Sequence, residues 1–164
     1  MVETRRSFDL TRLARTVAAG LIGAAGFLAV DAIYPTLGAS SRLDLPTLLA
    51  LVFTGQPDNI AAGVAIHFAV GLALALLYVY GEVYRFLPGR PWLRGVLYAF
   101  VIWVVHTVGM MPAVGLMANR MVEMGQVPSI SYFVVRVGLI ALVESLVAHL
   151  VYGALLGGIS GATD

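Results

Sequence analysis

Four long apolar stretches constrain the fold of this chain more than any other feature of its sequence. A bilayer core about 30 Å thick needs about 20 helical residues to cross it. Stretches long enough for this, with few or no charged residues inside them, lie at about residues 13–34, 59–81, 92–113 and 131–156. The sequence therefore predicts an all-α fold, an integral membrane four-helix bundle, in which residues 1–164 form a single transmembrane domain.

The composition agrees with a chain that lies in lipid. Hydrophobic residues make up 60% of the sequence and charged residues only 12%, whereas a soluble domain has about 25% charged residues. This balance excludes a soluble enzyme, a disordered tail and a nucleic-acid-binding protein, and the formal net charge of +1 agrees with that. Because the chain has no Cys, it has no disulfides, no thiolate metal ligands and no cysteine nucleophile.

A fifth apolar stretch, at about residues 45–54, is too short to cross a bilayer. Asp44 precedes Pro46 by two positions, an order that is typical of the start of a helix. We expect a short interfacial or re-entrant helix here, between the first two spans and on the outer side of the membrane.

The distribution of arginine predicts how the chain is oriented. Cytoplasmic loops carry an excess of positive charge. Seven arginines precede the first span or lie between the second and third spans: Arg5, Arg6, Arg12, Arg15, Arg85, Arg90 and Arg94. The two opposite loops hold only Arg42 and Arg120. The sequence thus predicts a multi-pass protein of the inner (cytoplasmic) membrane, with both the N- and the C-terminus in the cytoplasm.

Each of the last three spans carries a histidine within a stripe of small residues. Gly63 and Gly71 flank His67 at steps of four residues, and His106 and His149 lie in similar stripes. Helices in lipid pack through such small residues. We therefore expect all three histidine side chains to face the interior of the bundle.

Ionisable residues inside the spans are candidate functional residues, because they are costly in lipid. The rise of 1.5 Å per helical residue predicts the depth of each one. Four of them fall at a similar depth in the outer half: Asp31, His67, His106 and Arg136. Glu144 is expected near the midplane. His149 is expected in the inner half, out of reach of the other two histidines.

A functional and a structural interpretation of these polar residues both fit the sequence. In the functional one, His67 and His106 bind a cofactor such as haem b or a quinone, or hold a metal ion with Asp31 or Glu144. The same histidines and carboxylates are also able to relay protons. In the structural one, Asp31 pairs with Arg136, and the histidines donate hydrogen bonds to backbone carbonyls.

Methionines are concentrated after the third span. Met117, Met121 and Met124 share one face of a short helix that we expect on the outer side. Thioether ligands suit Cu(I), so a copper site is one interpretation. Flexible methionine side chains also pack well within an interfacial helix or against a partner. Because the chain has no second Met-rich segment and no Cys, packing is the favoured interpretation.

The sequence contains no G-x-S-x-G, H-E-x-x-H or Walker motif. We therefore expect a non-catalytic membrane protein that acts as an accessory or interaction subunit of a larger membrane complex. Four short helices bury little surface on their own, which favours a homo- or hetero-oligomer. A small transporter or proton path that uses Asp31, Arg136 and Glu144 is a further alternative, although the chain lacks the inverted repeats of many carriers.

Several short motifs rich in Gly and Pro resemble a known group of proteins. They include His67-Phe68, the run Leu-Pro-Gly-Arg-Pro-Trp-Leu-Arg-Gly at residues 87–95, Met111-Pro112 and the His-Leu-Val-Tyr-Gly run that begins at His149. The chain resembles small bacterial and archaeal four-span membrane proteins of unknown function and, more distantly, the YagU-like inner-membrane family. The resemblance spans residues 14–161. It implies a four-helix membrane protein, and it implies no reaction, substrate or cofactor.

Overall fold

The computed structural model describes residues 9–34, 45–117, 123 and 138–162. Within these ranges the regular structure is entirely helical. The α-helices are α1 (Leu10–Ile33), α2 (Leu45–Thr54), α3 (Ile60–Tyr80), α4 (Pro91–Val105), α5 (Met111–Met117) and α6 (Leu139–Ser160). A 3₁₀ turn at Val83–Phe86 lies between α3 and α4, and a π-helical segment at His106–Met110 joins α4 to α5.

Four helices in the described part of the chain are long and apolar enough to cross a membrane, which confirms the predicted helical membrane fold. They are Leu10–Ile33, Ile60–Tyr80, Pro91–Leu116 and Leu139–Ser160. The third of them is continuous through α4, the π-helical segment and α5. The short apolar helix α2 lies between the first two spans, as expected. Residues 131–137 of the predicted fourth span lie outside the described residues.

Local sequence signals mark the ends of these helices. The Asp9 carboxylate accepts hydrogen bonds from the backbone N–H groups of Thr11 (2.9 Å) and Arg12 (3.1 Å) and so caps the start of α1. Pro91 is the first residue of α4, where a missing N–H costs nothing. Gly161 ends α6 in the left-handed conformation (φ 65°), which glycine adopts without steric cost.

The end of α6 differs from the expected span end at residue 156. Gly157 and Gly158 follow that position, and glycine is a weak helix former. Nevertheless α6 continues to Ser160. Gly157 lies directly against the backbone of α4 at Pro91, so close packing of the two helices supports the additional turn.

Glycines allow the helices to approach each other closely. Gly95 of α4 and Gly153 of α6 meet backbone to backbone, so that a Cβ atom on either one would collide with the other's carbonyl oxygen. Between α1 and α3, a Cβ atom at Gly20 would lie 2.9 Å from the Cβ atom of Ala75. The small-residue stripes therefore form the contacts between helices, as packing in lipid requires.

The antiparallel helices give the molecule two distinct ends. The end where α1 and α4 begin and α3 and α6 finish is called here the arginine end. It holds all of the described arginines, which are Arg12, Arg15, Arg85, Arg90 and Arg94. The opposite end is called the α2 end. There Leu48 of α2 is buried against Met111 and Val114 of α5, so that α2 packs onto the bundle.

Candidate polar site within the bundle

The three histidines lie together around one phenylalanine of α1. The ring centre of Phe27 is 5.1 Å from that of His67 on α3 and 4.9 Å from that of His149 on α6. The ring centres of His149 and His106 are 5.2 Å apart. The prediction that His149 is out of reach of the other histidines is therefore wrong. Side chains lean towards the start of their own helix, and α4 and α6 run in opposite directions, so the two rings approach each other.

Two of the histidines are held by backbone carbonyls. His67 Nε2 lies 3.0 Å from the carbonyl oxygen of Ala24 on α1, and His149 Nδ1 lies 2.7 Å from that of Ser145, one turn earlier on α6. A carbonyl oxygen only accepts, so these two ring nitrogens carry the hydrogen and donate it. Neither nitrogen is then able to bind a metal. Both contacts are of the kind that the structural interpretation expected.

His106 is the first residue of the π-helical segment that joins α4 and α5. Pro112 explains this local widening, because proline has no N–H to donate and its ring collides with the carbonyl four residues earlier in a regular helix. Thr107 stabilises the wider turn by donating its hydroxyl to the carbonyls of Trp103 (2.8 Å) and Val104 (3.2 Å). Such π-helical turns are frequent at functional sites. Here the turn sets the position of His106.

A cavity of about 60 Å³ lies beside His106 towards the α2 end. It is lined by polar residues from three helical segments, which are Asp31 of α1, His106, and Glu144 and Ser145 of α6. Apolar side chains complete it, among them Phe27 and Leu48 of α2. A cavity of this size has room for a few water molecules. Most of the accessible lining is apolar, and the polar side chains form only a small part of it.

Two buried polar atoms of residues in this lining have no hydrogen-bond partner among the described residues. They are Nδ1 of His106 and the hydroxyl oxygen of Ser145. Glu144, whose side chain is also at the cavity, is only 5% exposed. Buried polar atoms in folded proteins are nearly always hydrogen-bonded to protein or to ordered water. The two atoms therefore point to a polar occupant of the cavity.

The structure brings some of the predicted site residues together and separates others. Asp31, His106 and Glu144 share the cavity, whereas His67 packs against Phe27 and is not part of the lining. In the described part of the chain, no three His, Asp or Glu side chains are grouped so that they could hold one metal ion. The four predicted metal ligands are thus not assembled into one metal site there.

Other predicted residues fall where the structure gives no side-chain description. Arg136, Met121 and Met124 lie outside the described residues, and so does the side chain of Met117 at the end of α5. Ser145 was not among the predicted site residues. Ser145 lies one helical turn before His149 and therefore on the same inward side of α6. This spacing of four residues is the sequence signal that could have identified Ser145.

The fold and the site together define a helical membrane protein with a buried polar cavity, and four apolar helices indicate a lipid bilayer as its environment. The sequence model described as "Family of unknown function (DUF6789)" matches residues 10–164, so the chain belongs to this family. The more distant likeness to the YagU-like family is not confirmed. No curated protein and no solved structure is significantly similar to the chain.

Proposed function

We propose that this protein is a non-catalytic multi-pass membrane protein that takes up and releases a proton at the cavity lined by Asp31, His106, Glu144 and Ser145. One observation carries the proposal. His106 and Ser145, each with a buried polar atom that has no hydrogen-bond partner in the described residues, line the same water-sized cavity as Asp31 and Glu144. Ionisable groups at this depth of a membrane domain are costly and commonly serve proton relays.

The chemistry of the lining favours a proton over the larger ligands considered above. Imidazole and carboxyl groups both exchange protons with water. Ordered water in the cavity would bridge His106 to the carboxyl groups at little cost. A pocket for a cofactor-sized ligand has a volume of about 300–1,000 Å³. The cavity of about 60 Å³ therefore supports water and a proton rather than haem b or a quinone.

The proposal places the protein in a larger membrane assembly, as an accessory or interaction subunit. Gly109 lies on an exposed part of the third span, and no described atom is within 4 Å of a Cβ atom built there. Val105 and Val108 beside it are also exposed. Small residues on a lipid-facing surface allow another helix to approach closely. This face is our candidate contact with a second copy or another membrane protein.

The arginine end would face the cytoplasm in this proposal, which corresponds to the inner membrane with both termini inside. All of the described arginines lie at this end. The excess of positive charge on one side supports that orientation. The polar cavity, near the α2 end, would then open towards the outer side.

Infrared difference spectroscopy tests proton uptake at the cavity. The purified protein is compared at about pH 8 and about pH 5, the range in which histidine changes charge. We expect a carboxyl C=O band to appear on acidification, because a carboxyl group in the cavity takes up a proton. Glu144→Gln or Asp31→Asn should remove part of this band, and His106→Gln should shift the pH at which it appears.

Glu82→Gln is the matched control, because Glu82 is a partly exposed carboxylate outside the bundle that pairs with Arg85 at 2.6 Å. It should leave the cavity band unchanged. If neither Glu144→Gln nor Asp31→Asn changes the spectrum more than Glu82→Gln does, the cavity does not bind the proton and the proposal fails. Recovery of the native protein from membranes as a lone monomer would contradict the accessory-subunit part separately.

A further inference from the structure

A second cavity lies at the arginine end, far from the polar site. Its volume is about 240 Å³. It is formed where the start of α1, the 3₁₀ turn and the end of α6 meet, and its polar lining comprises Asp9, Thr11, Arg12, Arg15, Tyr84 and Ser160. The proton site proposed above uses none of these residues, so this cavity calls for a separate explanation.

The positive charge of the cavity is held in place by the protein. One guanidinium N–H of Arg12 donates to the carbonyl of Val79 at 3.0 Å, and the guanidinium carbon lies 5.3 Å from the centre of the Tyr80 ring. These contacts use one of five N–H donors and fix the direction of the group. The exposed side chain of Arg15 adds a second positive charge.

The one acidic residue of the lining does not neutralise both arginines. Two arginines and one aspartate give the lining a formal charge of +2 − 1 = +1. The Asp9 carboxylate already accepts hydrogen bonds from two backbone N–H groups at the start of α1. Among the described residues, an anion in the cavity would therefore meet two guanidinium groups and a net positive charge.

Ser160 supplies an independent sign of a missing ligand. Its side chain is only 3% exposed, and its hydroxyl has no hydrogen-bond partner within the described residues. Leaving a buried hydroxyl unpaired is costly, and folded proteins avoid it. Ser160 lines the same cavity as the two arginines, so an anionic group with several acceptor oxygens there would lie next to this residue as well as to both guanidinium groups.

We infer that this cavity binds the phosphate of an anionic phospholipid headgroup. Guanidinium groups bind phosphate through short, charge-assisted hydrogen bonds, and basic pockets between membrane helices are known to hold lipid headgroups. The position of the cavity across the membrane also fits a lipid headgroup. Exposed Tyr80 and Trp92 lie at the same end of the bundle, and such aromatic residues mark the headgroup region of a membrane.

The test measures lipid binding to the full-length protein in a neutral detergent. Phosphatidylglycerol, phosphatidylcholine with the same acyl chains, and water-soluble glycerol phosphate are titrated separately. The readouts are the thermal unfolding midpoint and the number of lipids retained in native mass spectrometry. Phosphatidylglycerol should raise the midpoint and stay bound, whereas phosphatidylcholine and glycerol phosphate should do neither over the same concentration range.

Three variants connect this binding to the cavity. Arg12→Gln together with Arg15→Gln should weaken binding of phosphatidylglycerol at least about tenfold, as expected from the loss of charge-assisted hydrogen bonds. Arg15→Gln alone, at an exposed position that a fold tolerates, should weaken it about threefold to tenfold. Arg90→Gln is the control at the same end, because Arg90 is exposed and lies outside the cavity lining. It should change binding by less than about twofold.

Ser160→Ala separates a ligand contact from a structural role. It should weaken lipid binding about fivefold and leave the stability of the lipid-free protein unchanged or higher, because the hydroxyl has no partner among the described residues. The inference is overturned if phosphatidylcholine binds equally well, or if Arg90→Gln weakens binding as much as Arg15→Gln. Equal binding of glycerol phosphate would show a site for a free phosphate ester and overturn the lipid assignment.

Discussion

Replacing Gly157 by alanine is expected to push α4 and α6 apart. A Cβ atom at this position would collide with the backbone carbonyl of Pro91 and lie 3.0 Å from the backbone nitrogen of Gly95. Favourable contacts between heavy atoms have separations of about 3.5–4.0 Å, and backbone atoms are unable to rotate away as a side chain does. The two helices must therefore separate, which loosens the contact along their length.

Two opposing effects determine the size of the change. Overpacking a well-packed site costs about 1–3 kcal/mol, and the rigid backbone around Gly157 places this position near the upper value. In the opposite direction, alanine in place of glycine inside a helix stabilises the helix by about 0.8–1 kcal/mol. We therefore expect Gly157→Ala to lower the free energy of unfolding by about 2 kcal/mol.

The neighbouring Gly158→Ala provides the matched control. No described atom lies within 4 Å of a Cβ atom at Gly158, so this variant gains helix propensity without a collision and should be about 1 kcal/mol more stable. The assay is reversible unfolding in mixed micelles with an increasing fraction of SDS, followed by circular dichroism. The two variants should differ by about 3 kcal/mol. Equal stabilities would refute the close packing of α6 on α4 at Gly157.

The same unfolding assay and amide exchange check three further expectations. Tyr152→Phe removes the hydroxyl that donates to the Gly71 carbonyl at 2.7 Å and should cost about 0.6–1 kcal/mol in unfolding free energy. Leu48→Ala should lower the free energy of unfolding by about 2–5 kcal/mol, because this side chain is only 4% exposed. Phe53→Ala on the same helix should lower it far less, because Phe53 is 64% exposed. Pro112→Ala should convert the π-helical segment to regular helix and slow amide hydrogen exchange there. Unchanged exchange would show that Pro112 is not the cause of the π-helical segment.

The helical membrane fold could be predicted because it depends on local properties of the sequence. The length of each uncharged stretch and the short length of residues 45–54 follow from counting residues between charges. The stripes of small residues around His67 and in α6 likewise indicated which faces meet. The structure confirms the four apolar helices and the short helix between the first two.

The arrangement of the polar site depended on contacts that no local pattern contains. His149 reaches His106 because α4 and α6 pack in opposite directions, so that the two side chains lean towards each other. His67 packs against Phe27, which lines the cavity, but does not line the cavity itself. The π-helical turn that positions His106 follows from Pro112. The direction of the His106 side chain, however, depends on the residues of other helices that pack around it.

Nitrogen NMR of the histidine side chains tests the central claim, a hydrated proton-binding cavity at His106, most directly. The three histidines provide an internal comparison, because His67 donates to Ala24 and His149 to Ser145. The account predicts magnetisation transfer from water to the His106 ring, and a change in its nitrogen signals on acidification that Glu144→Gln alters. A His106 ring without contact to water, with the same signals in the wild type and in Glu144→Gln, would contradict it.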